Sequence, residues 1–410
     1  MANLYDYLDW RGDVSFEGAP FNEVDNLILS WLSYAQWDGV LPAPGEEAPL
    51  TLAGAAARFF ALRPRPQDRG AAYSINPVVT AEVLLNRLAS CPRFQGVRLC
   101  GFVNELDEKE EKQFAALTIL CCDWAYISFR GTDTTFIGWK EDCCLSLSEA
   151  VPAQLAAVEY LTRVPEAAGR RLFIGGHSKG GNLAVYAGVK CAPEIAGRVE
   201  RIFNNDGPGF PQAFIEGEDY RRMLPRIHTI IPQSSVVGLL LEHREAHVVV
   251  KSAQVSVLQH NGVNWEVLGP EFVREKELTS ASQALDRTLK QWMATLDDNA
   301  RRAFIEALFS LLSATGATRI EELGQEGLGG LIRALRALSD LEEEQKAMLL
   351  RAVLTLIKAG NATLYQAVTA PGAELLRQGQ QKVRDLAERI REAIDRLLGQ
   401  HEEEAPEKGP

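Results

Sequence analysis

The chain has no long apolar segment. No apolar run in its 410 residues approaches the ~20 that a membrane-spanning helix needs. The N-terminus also lacks the basic and then apolar pattern of a secretory signal peptide, because Asp6 and Asp9 stand where such a peptide is apolar. We therefore expect no transmembrane segment and a cytoplasmic location.

Cysteine is present but lacks the spacing of a disulfide framework or a zinc site. The cysteines are odd in number, contain no C-x-x-C motif and include two pairs of adjacent residues. They stand at positions 91, 100, 121, 122, 143, 144 and 191. This pattern suits a reducing compartment. Phosphate loops of Walker type and dinucleotide fingerprints are also missing, so we expect no cofactor and no metal.

Positive charge is in deficit. Lys and Arg number 43 against 55 Asp and Glu, which gives a formal net charge of −12. Bulk electrostatics therefore disfavours nucleic acid and anionic lipid surfaces as partners. The apolar content is ordinary for a soluble protein, and the length allows one large α/β domain plus a smaller one.

The order of the sequence patterns predicts an α/β fold. Residues 1–100 mix helical patterns with Pro/Gly-rich connections, and an amphipathic helix over 22–32 begins with an Asn cap. Two β-rich runs, 114–121 and 124–130, predict a hairpin. Helices at 148–163, 179–190 and 211–222 then alternate with strands at 171–175, 200–205 and 226–232, and one or two more strands fall within 246–258. Such alternation is the signature of a mostly parallel sheet with crossover helices.

From about residue 271 the pattern is helical only. Helices are predicted over 279–313, 325–338, 341–358 and 373–398. We therefore divide the chain into an α/β domain (1–270), a C-terminal helical region (271–400) and a disordered tail (401–410). The last helix carries a heptad-like apolar series of Leu376, Val383, Leu386, Ile390, Ile394 and Leu397. That series predicts either packing on neighbouring helices or a coiled-coil homodimer.

The most informative motif surrounds Ser178. A short apolar strand pattern ends in Gly176, His177, Ser178, Lys179 and Gly180, and a helical pattern follows at once. This is the strand, G-x-S-x-G turn and helix of a nucleophile elbow, in which the two glycines make room for a strained serine. The alternative is a glycine-rich strand-to-helix turn with an incidental serine.

A serine nucleophile needs a histidine base and a carboxylate that orients it. The sequence has only six histidines. His177 lies within the motif, His228 lies at the wrong end of a strand and His401 lies in the tail. Among the other three, His243 and His247 flank a charged stretch, whereas His260 follows the alternating run 253–259 and precedes a turn. We therefore expect His260 to be the base.

The expected acid is Asp206. It ends the strand that follows the motif and opens a Gly-Pro-Gly turn, which would place its carboxylate beside the serine. The alternative is an ordinary turn aspartate. Two backbone donors for an oxyanion are expected from Lys179, directly after the serine, and from Thr132, in the loop after strand 124–130.

These motifs carry a family resemblance. Phe129, Arg130, Gly131 and Thr132, together with the Ser178 motif, resemble the F-R-G-T and G-H-S-x-G-G-x-L-A pair of class three (fungal-type) lipases. The chain more closely resembles an uncharacterised bacterial α/β-hydrolase family related to them, through segments 7–13, 21–30, 205–210 and 259–260. The resemblance spans about residues 1–270 and implies an α/β-hydrolase fold. Class three lipases carry their acid after the strand that corresponds to 226–232, where this chain has Gln233, Ser234 and Ser235.

The sequence therefore predicts a serine hydrolase of carboxylic esters, lipase- or esterase-like, with a Ser178–His260–Asp206 triad. Its substrate would be a small-molecule or lipid ester. An acyltransferase or a peptidase would use the same constellation. The alternative from another class is a non-catalytic hydrolase-like scaffold that binds a protein partner through its helical region, and the missing acid at the lipase position supports it.

Overall fold

The computed structural model describes residues 2–66, 76–133, 135–254, 256–280 and 297–314, together with 282, 283, 286, 287 and 290. These residues belong to the first of two compact units, Met1–Ala347; the second unit, Met348–Pro410, lies outside the described residues. The predicted helices 325–338, 341–358 and 373–398, the heptad-like series and the tail also lie outside them. The boundary at 270 stays a prediction.

Two of the described helices precede the first strand of the main sheet, and two more follow that strand. They are α1 (Leu4–Arg11), α2 (Glu23–Trp31), α3 (Leu52–Leu62) and α4 (Pro77–Leu88). The predicted Asn cap is confirmed, because the Asn22 side chain accepts from the Val24 and Asp25 N–H groups while Asp25 accepts from the Asn22 N–H. This capping box satisfies donors that a helix start otherwise leaves open.

The central sheet has eight strands in sequence order. They are β1 (Leu50–Thr51), β2 (Arg98–Asp107), β3 (Lys112–Cys121), β4 (Trp124–Phe129), β5 (Arg171–His177), β6 (Val199–Asn205), β7 (Ile227–Pro232) and β8 (His247–Val250). Strands β1 to β4 pair antiparallel and β4 to β8 pair parallel. The predicted hairpin is present as β3 and β4, with Cys121 opposite Trp124.

The helices of the parallel half cross between its strands. They are α5 (Phe136–Cys144), α6 (Pro152–Arg163), α7 (Lys179–Lys190), α8 (Pro193–Ala196), α9 (Gln212–Ile215) and α10 (Glu218–Met223). The helix predicted from 148 begins only at Pro152, since the residue before a proline disfavours helical dihedrals. The single helix predicted over 211–222 is wrong, because Gly217 adopts an extended conformation and divides it.

The segment 246–258 contains one predicted strand, β8, but the prediction that the run 253–259 is a strand ending at His260 is wrong. Residues Ser256–His260 form a 3-10 turn, and a second turn follows over Gly262–Asn264. After Val250 the chain leaves the main sheet and its backbone pairs with residues 264–266 and with Val273, before the 3-10 turn begins at Ser256. A small two-stranded ribbon, β9 (Val267–Leu268) with β10 (Glu271–Phe272), follows.

A further helix, α11 (Asp298–Ala314), packs on α5. Phe136 of α5 forms an apolar cluster with Ile305 and Phe309, and Lys140 bonds Glu306. The single helix predicted over 279–313 is wrong, because Asp297 lies outside α11 and its carboxylate accepts from the Ala300 N–H. Among the described helices, none combines the length and apolar character of a membrane span.

Candidate functional site

Ser178 lies in the turn between β5 and α7. Its φ of 59° and ψ of −135° are unusual for a residue with a side chain, and such strain persists only where neighbours enforce it. The Ser178 N–H donates to the Asn205 carbonyl at 2.9 Å. A Cβ at Gly180 would overlap the Phe129 carbonyl oxygen, so only glycine lets α7 start this close to β4. The turn therefore places Ser178 at the carboxyl end of the parallel strands, 9% exposed.

Asp206 and His260 meet at the same end of the sheet. Asp206 Oδ2 lies 2.6 Å from His260 Nδ1. Asp206 follows β6 directly, is fully buried and has a positive φ of 52°. Its backbone N–H is held by the Ile230 carbonyl of β7 at 2.8 Å. The backbone of Asp206 is thus fixed by β6 and β7.

The loop after β7 donates to Asp206 instead of carrying an acid. Asp206 Oδ1 accepts from the Ser235 hydroxyl at 2.5 Å and from the Gly238 N–H at 3.2 Å. Hydrogen bonds of this kind stabilise an ionised carboxylate. The serine-rich segment that follows β7 is therefore compatible with a carboxylate one strand earlier.

His260 reaches the site by a route that the sequence did not predict. It ends the 3-10 turn instead of a strand, and its side chain is 29% exposed. The ring of His177 lies 4.5 Å from the His260 ring, centroid to centroid. His177 Nε2 also lies 2.6 Å from the His260 carbonyl oxygen, so Nε2 carries the proton of that bond.

His177 joins several elements beneath the site. Its ring stacks on Trp31 at 4.8 Å, and its Nδ1 lies 3.1 Å from the Tyr34 hydroxyl. Burial lowers the pKa of His177 well below its ordinary value, so this ring is neutral. It links α2 to the backbone of His260, a role that its place within the motif did not reveal.

Thr132 lies in the loop after β4, and Lys179 is the first residue of α7, directly after Ser178. A Cβ at Gly131 would lie 3.0 Å from Ser178 Cβ, so the loop after β4 touches the serine. Within the part of the chain that the structure describes, neither the Thr132 nor the Lys179 backbone N–H donates to a protein acceptor. Neither amide is therefore occupied by a described protein acceptor.

The Lys179 side chain turns inward to a carboxylate pair that sequence reasoning missed. Lys179 Nζ donates to Glu141 Oε2 at 2.7 Å and lies 3.9 Å from Asp142 Oδ1. Asp142 Oδ2 accepts from the Thr132 hydroxyl. Burial raises the pKa of Asp142 to about 6, against the lowering effects of Lys179 and Thr132. The sequence pointed to Asp142 as a possible partner of Arg130, but neither that pattern nor the adjacent acidic residues of α5 identify a lysine partner.

The other central histidines lie in different surroundings. His228 Nε2 lies 3.3 Å from Glu23 Oε2, and His243 Nδ1 lies 3.0 Å from Glu245 Oε1. His247 begins β8. Within the described parts of the chain, no group of three or more His, Cys, Asp or Glu side chains is arranged to hold a metal ion.

The mostly parallel sheet with its crossover helices defines an α/β-hydrolase fold. Residues 88–310, more than half of the chain, match the model of the Mbeg1-like family. The chain belongs to the Mbeg1-like family, which is lipase-like, and this confirms the predicted relation to lipases. A comparison with curated proteins gave no significant match.

Solved lipases give weak structural similarities. The Rhizomucor miehei lipase propeptide complex is 15% identical with a TM-score of 0.31, over 40% of this chain and 60% of that one. Lipase II from Rhizopus niveus is 15% identical with a TM-score of 0.30, over 39% and 68%. Lip2 lipase from Yarrowia lipolytica is 10% identical with a TM-score of 0.30, over 54% and 86%. Because these TM-scores are low, the fold is assigned from the sheet topology and not from these similarities.

Proposed function

We propose that this protein is a serine hydrolase that cleaves carboxylic esters through an acyl-enzyme. The observation that carries the proposal is the 2.6 Å contact between Asp206 Oδ2 and His260 Nδ1, at the end of the sheet where the strained Ser178 occupies a strand-to-helix turn. A carboxylate that holds one ring nitrogen of a histidine orients the other as a base. An incidental serine in a glycine-rich turn would not explain why a buried carboxylate holds a histidine at the same end of the sheet.

The proposed reaction assigns one step to each side chain. His260 Nε2 removes the proton of the Ser178 hydroxyl as its oxygen attacks the ester carbonyl carbon. The resulting imidazolium is stabilised by Asp206, and it returns the proton to the departing alcohol. A water molecule then repeats the sequence on the acyl-enzyme, releases the acid and restores Ser178.

The negative charge on the carbonyl oxygen would be stabilised by the Thr132 and Lys179 N–H groups. Free amides of fixed orientation stabilise an oxyanion without reorganising during the reaction. The N-terminus of α7 adds a favourable dipole at the same place. A small-molecule or lipid ester is the proposed substrate, and the cytoplasm is the proposed location.

Labelling with a fluorophosphonate tests the proposal. We expect the wild-type protein to gain one phosphonyl group at Ser178, located by peptide mass spectrometry, and to release p-nitrophenol from a short-chain p-nitrophenyl ester. Ser178→Ala should abolish both reactions, and His260→Ala should slow both by at least ~10³-fold. Ser234→Ala is the matched control, since the Ser234 hydroxyl contacts Thr279 at 3.2 Å.

Labelling that is absent or independent of Ser178 would contradict the proposal. A folded wild-type sample that takes up no label, or takes it up equally in Ser178→Ala, contradicts the hydrolase. That outcome would favour the non-catalytic scaffold.

A further inference from the structure

Lys179 is a buried cation directly beside the proposed nucleophile. Its side chain has no exposed area, and its ammonium donates to the Glu141 carboxylate at 2.7 Å and to the Gln113 carbonyl at 3.0 Å. A buried ammonium is retained only where such partners replace water. The proposed hydrolysis does not use this side chain, because only the Lys179 backbone N–H faces the oxyanion. The ammonium therefore calls for a separate explanation.

Glu141 ties the ammonium to three parts of the fold. Its Oε2 also accepts from the Gln113 N–H of β3 at 3.0 Å, and its Oε1 accepts from the Ala153 N–H of α6 at 2.9 Å. Both carboxylate oxygens are thus occupied by donors in fixed positions. Glu141 belongs to α5, so these bonds set the position of α5 relative to the Ser178 turn.

Helix α5 in turn sets the position of Thr132. Asp142, the neighbour of Glu141, accepts from the Thr132 hydroxyl, and its other oxygen lies 3.9 Å from the Lys179 ammonium. A Cβ at Gly138 would lie 2.8 Å from Thr132 Cγ2, so the helix also packs directly on this side chain. The start of α7 and the loop after β4 are therefore connected through the Lys179 side chain, α5 and Asp142.

We propose that Lys179 is a positioning residue whose ammonium, through Glu141 and Asp142, holds the Thr132 half of the oxyanion hole at its working distance from Ser178. This inference rests on the proposed hydrolase. Lys179 thereby contributes to the oxyanion hole in two ways. Its backbone N–H is one donor, and its side chain positions the second donor, the Thr132 N–H. Loss of the ammonium should lower kcat and leave KM nearly unchanged, because the anchored donor acts on the transition state.

The test removes both charges of the buried pair together. Lys179→Met with Glu141→Gln removes both charges of the 2.7 Å pair, so neither partner is left as a buried charge facing an apolar side chain, and Asp142 keeps its bond from the Thr132 hydroxyl. We expect kcat for a short-chain p-nitrophenyl ester to fall about 10²-fold, the range for one oxyanion donor, with KM within about twofold. Phosphonylation of Ser178 should slow by a similar factor.

Lys190→Met is the matched control. It removes a lysine from the same helix, but one that is 42% exposed and 3.5 Å from Asp219 at the surface. Its kcat should equal that of the wild-type protein. Asp142→Asn is a second test variant, which keeps the Lys179–Glu141 pair and should lower kcat about tenfold at unchanged KM.

A double-mutant cycle separates positioning from general support of the fold. If Lys179 acts through Thr132, the charge-removed pair should cost little further activity in a Thr132→Val background. Additive losses, or a charge-removed pair within about threefold of wild-type kcat, overturn the inference while the hydrolase stands. If turnover by the wild-type protein does not depend on Ser178, the proposed hydrolase is contradicted. The proposed role of Lys179 in its oxyanion hole then falls as well.

Discussion

Two buried ion pairs of this protein, Arg93–Asp25 and Lys179–Glu141, use the same chemistry for different ends. Arg93 Nη2 lies 2.6 Å from Asp25 Oδ2, with both side chains fully buried. Arg93 also donates to backbone carbonyls between α1 and α2, at Val14, Ser15, Ala19 and Pro20. These bonds hold the loop between α1 and α2, together with the bond from the Arg93 backbone N–H to the Gly12 carbonyl.

The Lys179–Glu141 pair lies instead beside Ser178 and reaches the flanking loop through Asp142. The two pairs differ in the groups that their carboxylates contact. Asp25 accepts from the Asn22 N–H at the start of α2 and from the Tyr7 hydroxyl, whereas Glu141 belongs to α5, the helix that follows the proposed oxyanion loop. Burial and pairing alone therefore do not tell whether an ion pair serves folding or a reaction; the groups at its two ends do.

We expect the largest effect on the free energy of unfolding from Arg93→Met, which tests the structural role of the Arg93–Asp25 pair. It leaves Asp25 buried without its cation, and the free energy of unfolding in urea should fall by about 3–5 kcal/mol. The kcat of the protein that remains folded should be unchanged. Arg171→Met, which breaks an exposed pair with Asp123, should leave the free energy of unfolding nearly unchanged, because solvent screens such a pair. A loss of kcat in folded Arg93→Met would break the distinction between the two pairs.

Glu245 extends the comparison to a buried carboxylate held by hydroxyls and a histidine. Burial alone would raise its pKa, but hydrogen bonds from His243, Thr229 and Tyr220 lower the pKa from 4.5 to about 2. Because the folded pKa is the lower one, this stabilisation is present above pH 4.5 and is lost as the pH falls from 4.5 to about 2. Its size is at most about 3 kcal/mol.

Glu245→Gln should remove that dependence. Unfolding in urea at pH 6 and at pH 3 should show a smaller decrease in stability for the variant than for the wild-type protein. Glu242→Gln, at a surface carboxylate 46% exposed, is the control. Equal pH dependence of wild type and Glu245→Gln would show that the Glu245 cluster is not linked to acid unfolding.

The smallest effect concerns the bond between Ser235 and Asp206. Ser235→Ala removes a donor to a buried carboxylate, a bond worth about 1.5 kcal/mol, so kcat/KM should fall roughly tenfold. Ser234→Ala, one residue earlier, should leave kcat/KM unchanged. If the two variants behave alike, the loop after β7 does not support Asp206 in the way we propose.

Local pattern was sufficient where the determinant lies close in sequence. The Asn22 cap, the β3–β4 hairpin and the strand, turn and helix around Ser178 each depend on residues only a few positions apart. The same short-range patterns failed at Gly217 and at Ser256–His260, where a short run fits more than one conformation.

Asp206 and His260 were singled out from the sequence by strand order and elimination, but only tertiary structure brings their side chains to 2.6 Å across 54 positions. Tertiary structure also decided that Lys179 faces Glu141, that Ser235 donates to Asp206 and that His177 holds the His260 backbone. The physical reason is the same in each case. A buried polar group takes whichever partner the packed sheet and helices bring within hydrogen-bond distance, and one element's sequence does not contain that partner.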